Sequence, residues 1–528
     1  MADETMEERQ RRRAREAAAS MQAAPANPLL TEGRSRIRDL PVNQVRLMLA
    51  GDIQRSRLRQ HLDFDLAEGQ LGLGKQFAAL AGGQFLYSEA ERLWLHYDAA
   101  RGIWLPGEAD ARERVKALAG AVMDAAREQM VRAAQSGVQA EQQAARVRFA
   151  LATSLQKERT IGATLDVART APGLRISGPG DFDQDPDLLC VENGVVDLRS
   201  GTLLPHSPDR RMRKRVRARF DPDATCPRWL SHIEAVTCGD DRLAAYLKRA
   251  LGYSVTGHVT DEVMFFLFGH GANGKSVTIN VVEGLLGDYC VRAGGEFLMM
   301  ANGSSSREGA TPVLATFPGA RIVLVNEVES GAQLSPQQVK VLVSTERITA
   351  RRLYRDPITF SPTHKLWVRG NHKPVVRDTD HGLWRRLHLV PFLRQFSKEE
   401  ADPDLARKLL AEESSGILAW ICRGAQEWYA AGKLHSTEAV NAATQEYRSD
   451  SDFVAQWIAE RCTRGPDKQV VATQAYASHR DWSEQAGVRP LSQPVLTRRL
   501  AEIGISVIRK RTDGGAPVRY YVGLAVGF

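Results

Sequence analysis

The chain has 528 residues, of which 43% are hydrophobic and 25% are charged, and its formal net charge is +8. Because a single hydrophobic core does not grow to this size, the length and the ordinary composition predict a globular protein of several domains. The basic balance favours an acidic partner such as nucleic acid, and the six scattered cysteines, none in a C-x-x-C pair, argue against a zinc site.

The first residues, "MADETMEERQRRRAREAAAS", are charged and lack the apolar stretch of a secretory signal. No apolar run in the sequence approaches the length of a bilayer-spanning helix. We therefore expect a soluble, cytoplasmic protein with reduced thiols and no membrane partner. Residues 1–65 are rich in arginine, alanine and glutamine, which predicts a basic, flexible arm.

Residues 66–227 are predicted to form an α+β domain. The stretch "RLWLHYDAARGIWLP" (92–106) has the pattern of two strands joined by a turn at Asp98–Gly102. Apolar residues at helical spacing follow within 111–134. Short strands joined by Asn-Gly and Ser-Gly turns are predicted within 188–206.

The segment "RRMRKRVRARF" (210–220) ends with alternating basic and apolar residues. As a strand, it would place five arginines on one face, namely Arg211, Arg213, Arg215, Arg217 and Arg219. Such a face suits contact with a phosphate backbone, and it equally suits a charged edge strand that resists aggregation. The sequence leaves both interpretations open.

A candidate nucleotide site lies in "VMFFLFGHGANGKSVTINVVEGLL" (263–286), which predicts a buried strand, a glycine-rich loop and a helix. The loop matches the P-loop pattern G-x-x-x-x-G-K-[ST], whose backbone N–H groups and helix start attract phosphates. Lys275 is expected to reach the β- and γ-phosphates of ATP, and Ser276 to hold Mg²⁺. The predicted nucleotide-binding residues are Gly269, His270, Gly271, Ala272, Asn273, Gly274, Lys275, Ser276 and Val277.

An ATPase of this type also needs carboxylates on a neighbouring strand. "ARIVLVNEVESG" (320–331) predicts a short buried strand that ends beside Glu327 and Glu329. One carboxylate is expected to anchor Mg²⁺, for which Glu327 is the candidate, and one to polarise the attacking water. Asn371 ends a later predicted strand, where its amide would orient water beside the γ-phosphate.

Residues 228–400 alternate strands and helices, which is typical of a parallel α/β sheet. Within them, "DHGLWRRLHLVPF" (380–392) places Arg385 and Arg386 in tandem before an apolar strand. An arginine supplied to the ATP of a neighbouring subunit would stabilise transition-state charge, and a surface ion pair is the alternative. Residues 401–450 are predicted to be a helical linker or lid.

Residues 451–528 are predicted to form a separate winged-helix domain that binds DNA or a protein partner. "LSQPVLTRRLAEIGISVIRKRTDGGAPVRYYVGL" (491–524) predicts a helix followed by two strands that join at Asp513–Gly515. Basic groups beside such a helix suit phosphate contact and groove entry. They are Arg498 and Arg499 on the helix, and Arg509, Lys510, Arg511 and Arg519 beside the wing.

Four motifs follow one another in the chain: "GHGANGKS", "RIVLVNEVESG", "ITARRLYRDPITFSPTHKLWVRGNHKP" and "DHGLWRRLHLVPF". Their order resembles the superfamily 3 helicase domain of phage and plasmid primase–helicases. These proteins are related to poxvirus and satellite-phage replication proteins. The resemblance covers residues 85–400 and implies an AAA+ P-loop core that assembles into a ring, usually a hexamer, and moves 3′ to 5′ on DNA. It implies Walker A roles for Gly269, Gly274, Lys275 and Ser276, Walker B roles for Glu327 and Glu329, a sensor role for Asn371, and an arginine-finger role for Arg385 or Arg386. It also implies a DNA-gripping pore hairpin near 352–356, with Arg352, Tyr354 and Arg355 as its DNA-binding residues.

The sequence departs from this family in two respects. Many relatives carry an N-terminal primase domain, for which we expect no room here, so a primase would be a separate partner. Walker B has Glu327 where many ATPases have aspartate, which leaves open which of the two glutamates is the base.

These features predict an ATP-dependent DNA helicase, encoded by a phage, plasmid or integrated element and acting in the bacterial cytoplasm with ATP, Mg²⁺ and DNA. One alternative is an origin-binding initiator ATPase that melts duplex DNA without processive unwinding. Another is a P-loop kinase of a small molecule, against which the tandem arginines and the basic pore segment argue.

Overall fold

The computed structural model describes residues 69–269, 271–300, 312–326, 332–351, 357–376, 381–511 and 517–527. The chain forms two compact units. The first runs to Gln184 and takes in Pro205–Lys214, and the second comprises Asp185–Leu204 and the chain from Arg215 onward. Among the described residues, no helix combines the length and the apolar character that crossing a bilayer requires.

The first unit packs helices against a small sheet. Its helices are α1 (Gln70–Ala81), α2 (Glu108–Ser136), α3 (Gln139–Leu155) and α4 (Glu158–Ala168). Its strands are β1 (Phe85–Ser88), β2 (Leu93–Asp98), β3 (Ile103–Pro106) and β4 (Arg175–Ile176), in the order β3-β2-β1-β4. The hairpin and the helix predicted here are confirmed as β2–β3 and α2. Phe77, Trp94 and Val115 are buried in the core that the helices share with the sheet.

The second unit begins with three antiparallel strands, which the sequence predicts, and two helices. The strands are β5 (Leu188–Val191), β6 (Gly194–Asp197) and β7 (Thr202–Leu204). The helices are α5 (Pro227–Val236) and α6 (Asp241–Val255). Asp240 caps α6, because its carboxylate accepts hydrogen bonds from the N–H groups of Arg242 and Leu243.

A five-stranded parallel sheet follows, which confirms the predicted parallel α/β arrangement. Its chain order is β8 (Met264–Phe268), α7 (Lys275–Leu286), β9 (Cys290–Ala293), β10 (Ile322–Val325), α8 (Pro336–Val343), the hairpin β11 (Ile348–Arg351) and β12 (Pro357–Phe360), β13 (Lys365–Gly370), α9 (His381–Trp384) and β14 (Leu387–Pro391). The order of strands in the sheet is β14-β8-β13-β10-β9. The apolar runs "MFFLF" and "IVLV" form β8 and β10, which are almost wholly buried, as expected of strands covered on both faces.

Parallel pairing gives this sheet two chemically different edges. All five carboxyl ends lie along one edge and all five amino ends along the opposite edge. β8 lies between β14 and β13, both of which follow it in the sequence. In open α/β sheets, ligands bind outside the carboxyl ends of strands at such a point. The loop that leaves β8 is therefore the expected ligand-binding position in this sheet.

The chain ends in helices and a second small sheet. The elements are α10 (Leu405–Glu412), α11 (Ser414–Ala431), α12 (Glu438–Asp450), α13 (Phe453–Arg461), β15 (Cys462–Val471), α14 (Ala472–Gln485), α15 (Gln493–Glu502), β16 (Ser506–Lys510) and β17 (Val518–Val526). The predicted helical run at 401–450 is confirmed apart from a break between α11 and α12. The predicted helix and two strands after residue 491 are present as α15, β16 and β17, and β15 adds a strand that the sequence did not predict.

The segment 211–220, predicted as a strand with an arginine face, forms no strand, so that prediction is wrong. Its buried residues are Met212, Val216, Ala218 and Phe220, as the alternation predicts. However, the Val216 N–H donates to the Cys190 carbonyl while the next N–H, of Arg217, donates to the Leu285 carbonyl. Neither of these two bonds continues into the regular repeat of a ladder, so the segment forms no strand.

Two glycines let α6 and α11 pack backbone against backbone. A Cβ on Gly252 would lie 2.1 Å from the Ala425 nitrogen, and one on Gly424 would lie 2.2 Å from the Lys248 carbonyl oxygen. We expect Gly252→Ala to lower the free energy of unfolding by about 1–3 kcal/mol, measured by thermal or urea unfolding, although alanine is the better helix former. Gly162→Ala in α4, where a Cβ would meet nothing within 4 Å, is the matched control and should be neutral or stabilising. A Gly252→Ala protein as stable as wild type would contradict the close packing.

Candidate functional site

The glycine-rich loop leaves the carboxyl end of β8 and leads into α7, as the sequence predicts. Gly271 and Gly274 have φ angles of 96° and 81°, a region that favours glycine. A Cβ on Gly269 would lie 2.1 Å from Asn273 Nδ2 and 2.3 Å from the Phe392 carbonyl oxygen. The loop therefore closes around the buried Asn273 side chain, and the glycines are required by its geometry.

Lys275 is the first residue of α7 and is only 4% exposed. Its Nζ donates hydrogen bonds to the Gly269 carbonyl oxygen at 2.6 Å and to Asn273 Oδ1 at 2.9 Å. Asn273 Nδ2 in turn donates to the Phe392 carbonyl oxygen at 3.3 Å. The ammonium group is thus fixed across the loop, where it adds to the partial positive charge of the helix start.

The loop opens into a cavity of about 460 Å³ at the carboxyl edge of the parallel sheet. This volume lies within the range of small-molecule sites. The predicted residues that line it are Gly271, Ala272, Asn273, Gly274, Lys275, Ser276, Val277 and Asn371. Gly269 lies behind the loop, and His270 is outside the described residues. The lining residues that the sequence did not predict are His232, Arg369, Gly370, Phe396, the segment 400–403 and Leu405.

His232 of α5 is one of the unpredicted residues and packs beside Gly274. It is 6% exposed, and its Nε2 lies 2.9 Å from Thr278 Oγ1. Burial lowers the pKa of His232 to about 4, so its ring is neutral at physiological pH. The sequence carries no signal that separates this histidine from an ordinary core residue of an amphipathic helix.

His232 and His388 should make the stability of the second unit depend on pH. His388 Nδ1 lies 2.5 Å from the Tyr246 hydroxyl, and burial lowers the pKa of His388 to about 4 as well. In the unfolded chain each histidine takes up a proton near pH 6.5, whereas in the folded unit each stays neutral until about pH 4. The free energy of unfolding should therefore fall as the pH drops from 6.5 toward 4, by roughly 1 kcal/mol per pH unit for each histidine.

Urea unfolding across that pH interval measures the effect. We expect His388→Gln to reduce the pH dependence by roughly 1 kcal/mol per pH unit, while the matched change at the exposed His435 leaves the wild-type slope. Identical slopes for wild type and His388→Gln would show that His388 is not held neutral by the fold.

The strand predicted to lead to the carboxylates of the site is present as β10, but the roles of the carboxylates themselves stay predictions. β10 pairs in parallel with β13 and β9, so its carboxyl end faces the same edge as the loop. Glu327 and Glu329 follow it and lie outside the described residues. Asn371 follows β13 directly and lines the cavity, as predicted for a residue beside the phosphates.

The tandem arginines lie at the other edge of the sheet. They precede β14, whose first residue pairs with the first residue of β8, and the Arg386 carbonyl oxygen accepts a hydrogen bond from the Met264 N–H. Arg386 is 12% exposed, forms an ion pair with Glu262, and donates from Nη1 to the Gly382 carbonyl oxygen at 3.0 Å. Arg385 is 59% exposed, and its Nη2 lies 3.6 Å from the Glu262 carboxylate. Neither arginine lines the cavity of its own chain.

The predicted pore hairpin is bounded by β11 and β12. These strands pair in antiparallel register, with Ile348 opposite Phe360 and Arg351 opposite Pro357. β13 is the predicted strand that leads to Asn371, and β12 precedes it as a separate strand. The residues between β11 and β12, which include Arg352, Tyr354 and Arg355, lie outside the described residues, so their role stays a prediction.

Comparisons with known proteins point to one group of replication proteins. A family model described as "D5 N terminal like" matches residues 74–238. "Putative helicase L207/L206" of Acanthamoeba polyphaga mimivirus is 26% identical over 325 residues, which cover 57% of this chain and 33% of that protein. "Putative primase C962R" of African swine fever virus is 22% identical over 330 residues, which cover 57% of this chain and 34% of that protein. These matches support a D5-like primase–helicase family for this chain.

A further relative of this chain is "Putative helicase 022R" of Frog virus 3, which is 28% identical over 256 residues that cover 45% of this chain and 26% of the relative. The chain thus spans about a third or less of the length of these curated relatives. Among solved structures, the "apo structure of NrS-1 C terminal region-CTR" aligns with a TM-score of 0.38 and 12% identity over 58% of this chain and 77% of that one. That likeness is too low to assign a fold or a function.

The C-terminal part of the chain carries the predicted basic residues of α15. Arg498 is exposed. Arg499 is 16% exposed, and its guanidinium lies 2.6 Å from the Glu502 carboxylate and 3.8 Å from the Asp452 carboxylate. The two neighbouring arginines therefore differ, since one is open to solvent and the other is engaged in ion pairs.

The strands β16 and β17 carry the remaining basic residues. Arg509 and Arg519 are exposed and lie directly opposite each other in the antiparallel register. Lys510 donates from Nζ to Gln469 Oε1 at 2.6 Å, and Arg511 is exposed at the end of β16. Like charges placed opposite each other across strands are destabilising. The Arg509–Arg519 pair thus concentrates positive charge at a cost in stability.

Proposed function

We propose that the chain is an ATP-dependent DNA helicase that works as a ring, a hexamer by expectation, in the replication of a phage, plasmid or integrated element. The observation that carries the proposal is a P-loop cavity at the carboxyl edge of a parallel sheet, with a tandem arginine at the opposite edge. The names of the D5-like relatives support a role in replication. The sheet with its P-loop supports an AAA+ core, and the C-terminal helix and strands support a winged helix.

In this proposal the triphosphate of ATP lies against the N–H groups of the loop and the start of α7. Lys275 exchanges its hydrogen bonds within the loop for bonds to the β- and γ-phosphates. Ser276 is exposed beside the cavity, and its hydroxyl with the Glu327 carboxylate suits Mg²⁺, which would neutralise phosphate charge when bound. Glu329 and Asn371 are assigned to the attacking water, the first as a base and the second through its amide.

The arginine must come from another copy of the chain. β8 has five residues and so spans about 16 Å between the two edges of the sheet. Arg385 and Arg386 at the amino edge are thus too distant to complete the site of their own chain. Arg385 is the candidate finger because it is exposed, whereas Arg386 is held by Glu262 and serves to position this segment.

DNA contact is assigned to two places. The hairpin of β11 and β12 would grip one strand in the ring, with 3′ to 5′ movement, through Arg352, Tyr354 and Arg355. The C-terminal domain would hold duplex DNA or a separate primase or initiator. Its candidate DNA-binding residues are Arg498, Arg509, Lys510 and Arg511, together with Arg519, while the ion pairs of Arg499 reduce its availability.

The opposed arginines of β16 and β17 provide a prediction with two readouts. Arg509→Ala and Arg519→Ala should each weaken binding to a short DNA duplex and reduce the salt dependence of binding by about one phosphate contact. Each should also leave stability unchanged or raise it by about 0.2–1 kcal/mol, because a like-charge pair is removed. Fluorescence anisotropy at several salt concentrations and thermal unfolding measure the two effects. The exposed Arg480→Ala is the control, and a loss of stability with unchanged binding would argue for a structural role.

Strand displacement tests the proposed function. The purified chain with ATP and Mg²⁺ should unwind a duplex with a 3′ single-stranded tail and spare one with a 5′ tail. Sizing with nucleotide should show a ring, for which six chains of 58.4 kDa give about 350 kDa. ATP hydrolysis that is indifferent to DNA and gives no unwinding would refute the helicase. Footprinting of a duplex without strand displacement would support the origin-binding initiator instead.

A further inference from the structure

Arg369 is a charged residue of the cavity wall to which the proposed function gives no role. It is the penultimate residue of β13, which pairs with β8 on one side and β10 on the other. Its Nη1 donates a hydrogen bond to Ser276 Oγ at 3.3 Å. Arg369 thus lies between the strand that leads into the P-loop and the strand that leads to the predicted carboxylates.

Packing does not explain a guanidinium at this position. The other five residues of β13 are buried, whereas Arg369 is half-buried and lines the cavity. Among the described residues no carboxylate pairs with Arg369, and its hydrogen-bond partner is the neutral hydroxyl of Ser276. A guanidinium that opens on a cavity beside a phosphate-binding loop suits an anion, because its planar fork binds two phosphate oxygens at once.

The contact with Ser276 indicates which phosphate Arg369 reaches. In a P-loop the backbone N–H groups hold the α- and β-phosphates, while the serine hydroxyl belongs to the metal that bridges the β- and γ-phosphates. Arg369 is therefore on the γ-phosphate side of the cavity. Asn371, two residues further along the same strand end, lines the same wall.

We propose that Arg369 binds the γ-phosphate of the nucleotide held by its own chain. The proposal rests on the proposed function, since it requires a nucleotide in this cavity. ADP lacks the γ-phosphate, and ATP carries about one more negative charge than ADP near neutral pH, so Arg369 favours ATP over ADP. Because the residue belongs to the same chain as the P-loop, this preference is present in a single chain and does not need the arginine of a neighbour.

Equilibrium binding of ADP and of the β,γ-imido analogue of ATP, each with Mg²⁺, tests the proposal. Arg369→Gln should weaken binding of the analogue about tenfold to a hundredfold and leave ADP binding as in wild type, and the retained ADP binding also shows that the variant folds. Arg369→Lys, which keeps the charge, should recover part of the loss. Arg292→Gln on β9, an exposed arginine paired with Glu283, is the matched control and should change neither affinity.

The outcomes separate this inference from the proposed function. If wild type binds neither nucleotide, the proposed function fails and the inference fails with it. A second outcome is that wild type binds both ADP and the analogue and requires Lys275 for that binding. If Arg369→Gln then binds both nucleotides as tightly as wild type, only the inference is overturned. Equal weakening of ADP and the analogue would also overturn it. A fall in kcat with unchanged analogue affinity would do the same, because Arg369 would then act by positioning another group.

Discussion

Lys275→Ala is expected to reduce ATP hydrolysis at least about a hundredfold, since removing one preorganised donor from a charged transition state costs that much in well-studied enzymes. The loss should appear in both nucleotide affinity and kcat, because the ammonium group would contact the phosphates before and during the reaction. Steady-state hydrolysis and direct nucleotide binding measure the two contributions. Unwinding should disappear with hydrolysis.

The buried position of Lys275 requires a control for folding. Its Nζ holds the Gly269 carbonyl and the Asn273 side chain, so the alanine variant leaves two acceptors without this donor and should lose about 1–3 kcal/mol of stability. Lys433→Ala removes an exposed lysine and should alter neither activity nor stability. Undiminished hydrolysis by a folded Lys275→Ala protein would rule out the cavity as the nucleotide site.

Arg385→Ala should lower kcat by about a thousandfold without affecting the stability of the chain, because arginine fingers contribute at least that much and Arg385 is largely exposed. Arg386→Ala should behave differently. It removes the closer of the two arginines beside the half-buried Glu262 carboxylate, where only Arg385 Nη2 stays at 3.6 Å, and should lower the free energy of unfolding by about 1–3 kcal/mol. Comparing activity with thermal unfolding for the two variants assigns one role to each arginine.

Mixing variants tests whether the arginine acts between chains. Lys275→Ala and Arg385→Ala should each hydrolyse ATP very slowly, but in a mixed assembly some sites would combine an intact P-loop with an intact neighbouring arginine. We therefore expect part of the hydrolysis to return on mixing. Mixed samples that stay inactive, although sizing shows that the chains assemble together, would mean that Arg385 does not serve a neighbour's site.

The P-loop could be predicted from the sequence because its chemistry is local. A buried strand, a glycine-rich turn and a helix start are consecutive in the chain, and Gly271 and Gly274 mark the backbone geometry directly. Asn371 was found for a similar reason, since the carboxyl ends of parallel strands share an edge. His232 and Arg369 were missed because only the folded sheet brings α5 and β13 to the loop. A lone arginine in the otherwise apolar run before Asn371 was the one signal available for Arg369.

The error at 211–220 has a different origin. The alternation of apolar and basic residues predicted burial correctly. The buried residues are Met212, Val216, Ala218 and Phe220. It did not predict correctly whether a strand forms, because a strand also needs a partner strand in register. The backbone N–H groups of this segment donate to separate segments instead. Periodicity in a sequence predicts which side chains face the core. It does not predict hydrogen-bond partners, because these depend on the tertiary structure.

The separation of the P-loop and the tandem arginine onto opposite edges of one sheet restricts how copies of this chain can associate productively. In a two-fold symmetric pair residue i of one copy meets residue j of the other and the reverse, so such a pair completes sites only if one contact face includes both the P-loop and the arginine. Head-to-tail contacts instead join one edge of the sheet to the opposite edge of the next copy, and such contacts either close into a circle or extend without limit. The ring that we propose is built from head-to-tail contacts and would therefore have a direction of its own, which a polar track such as a single DNA strand can match.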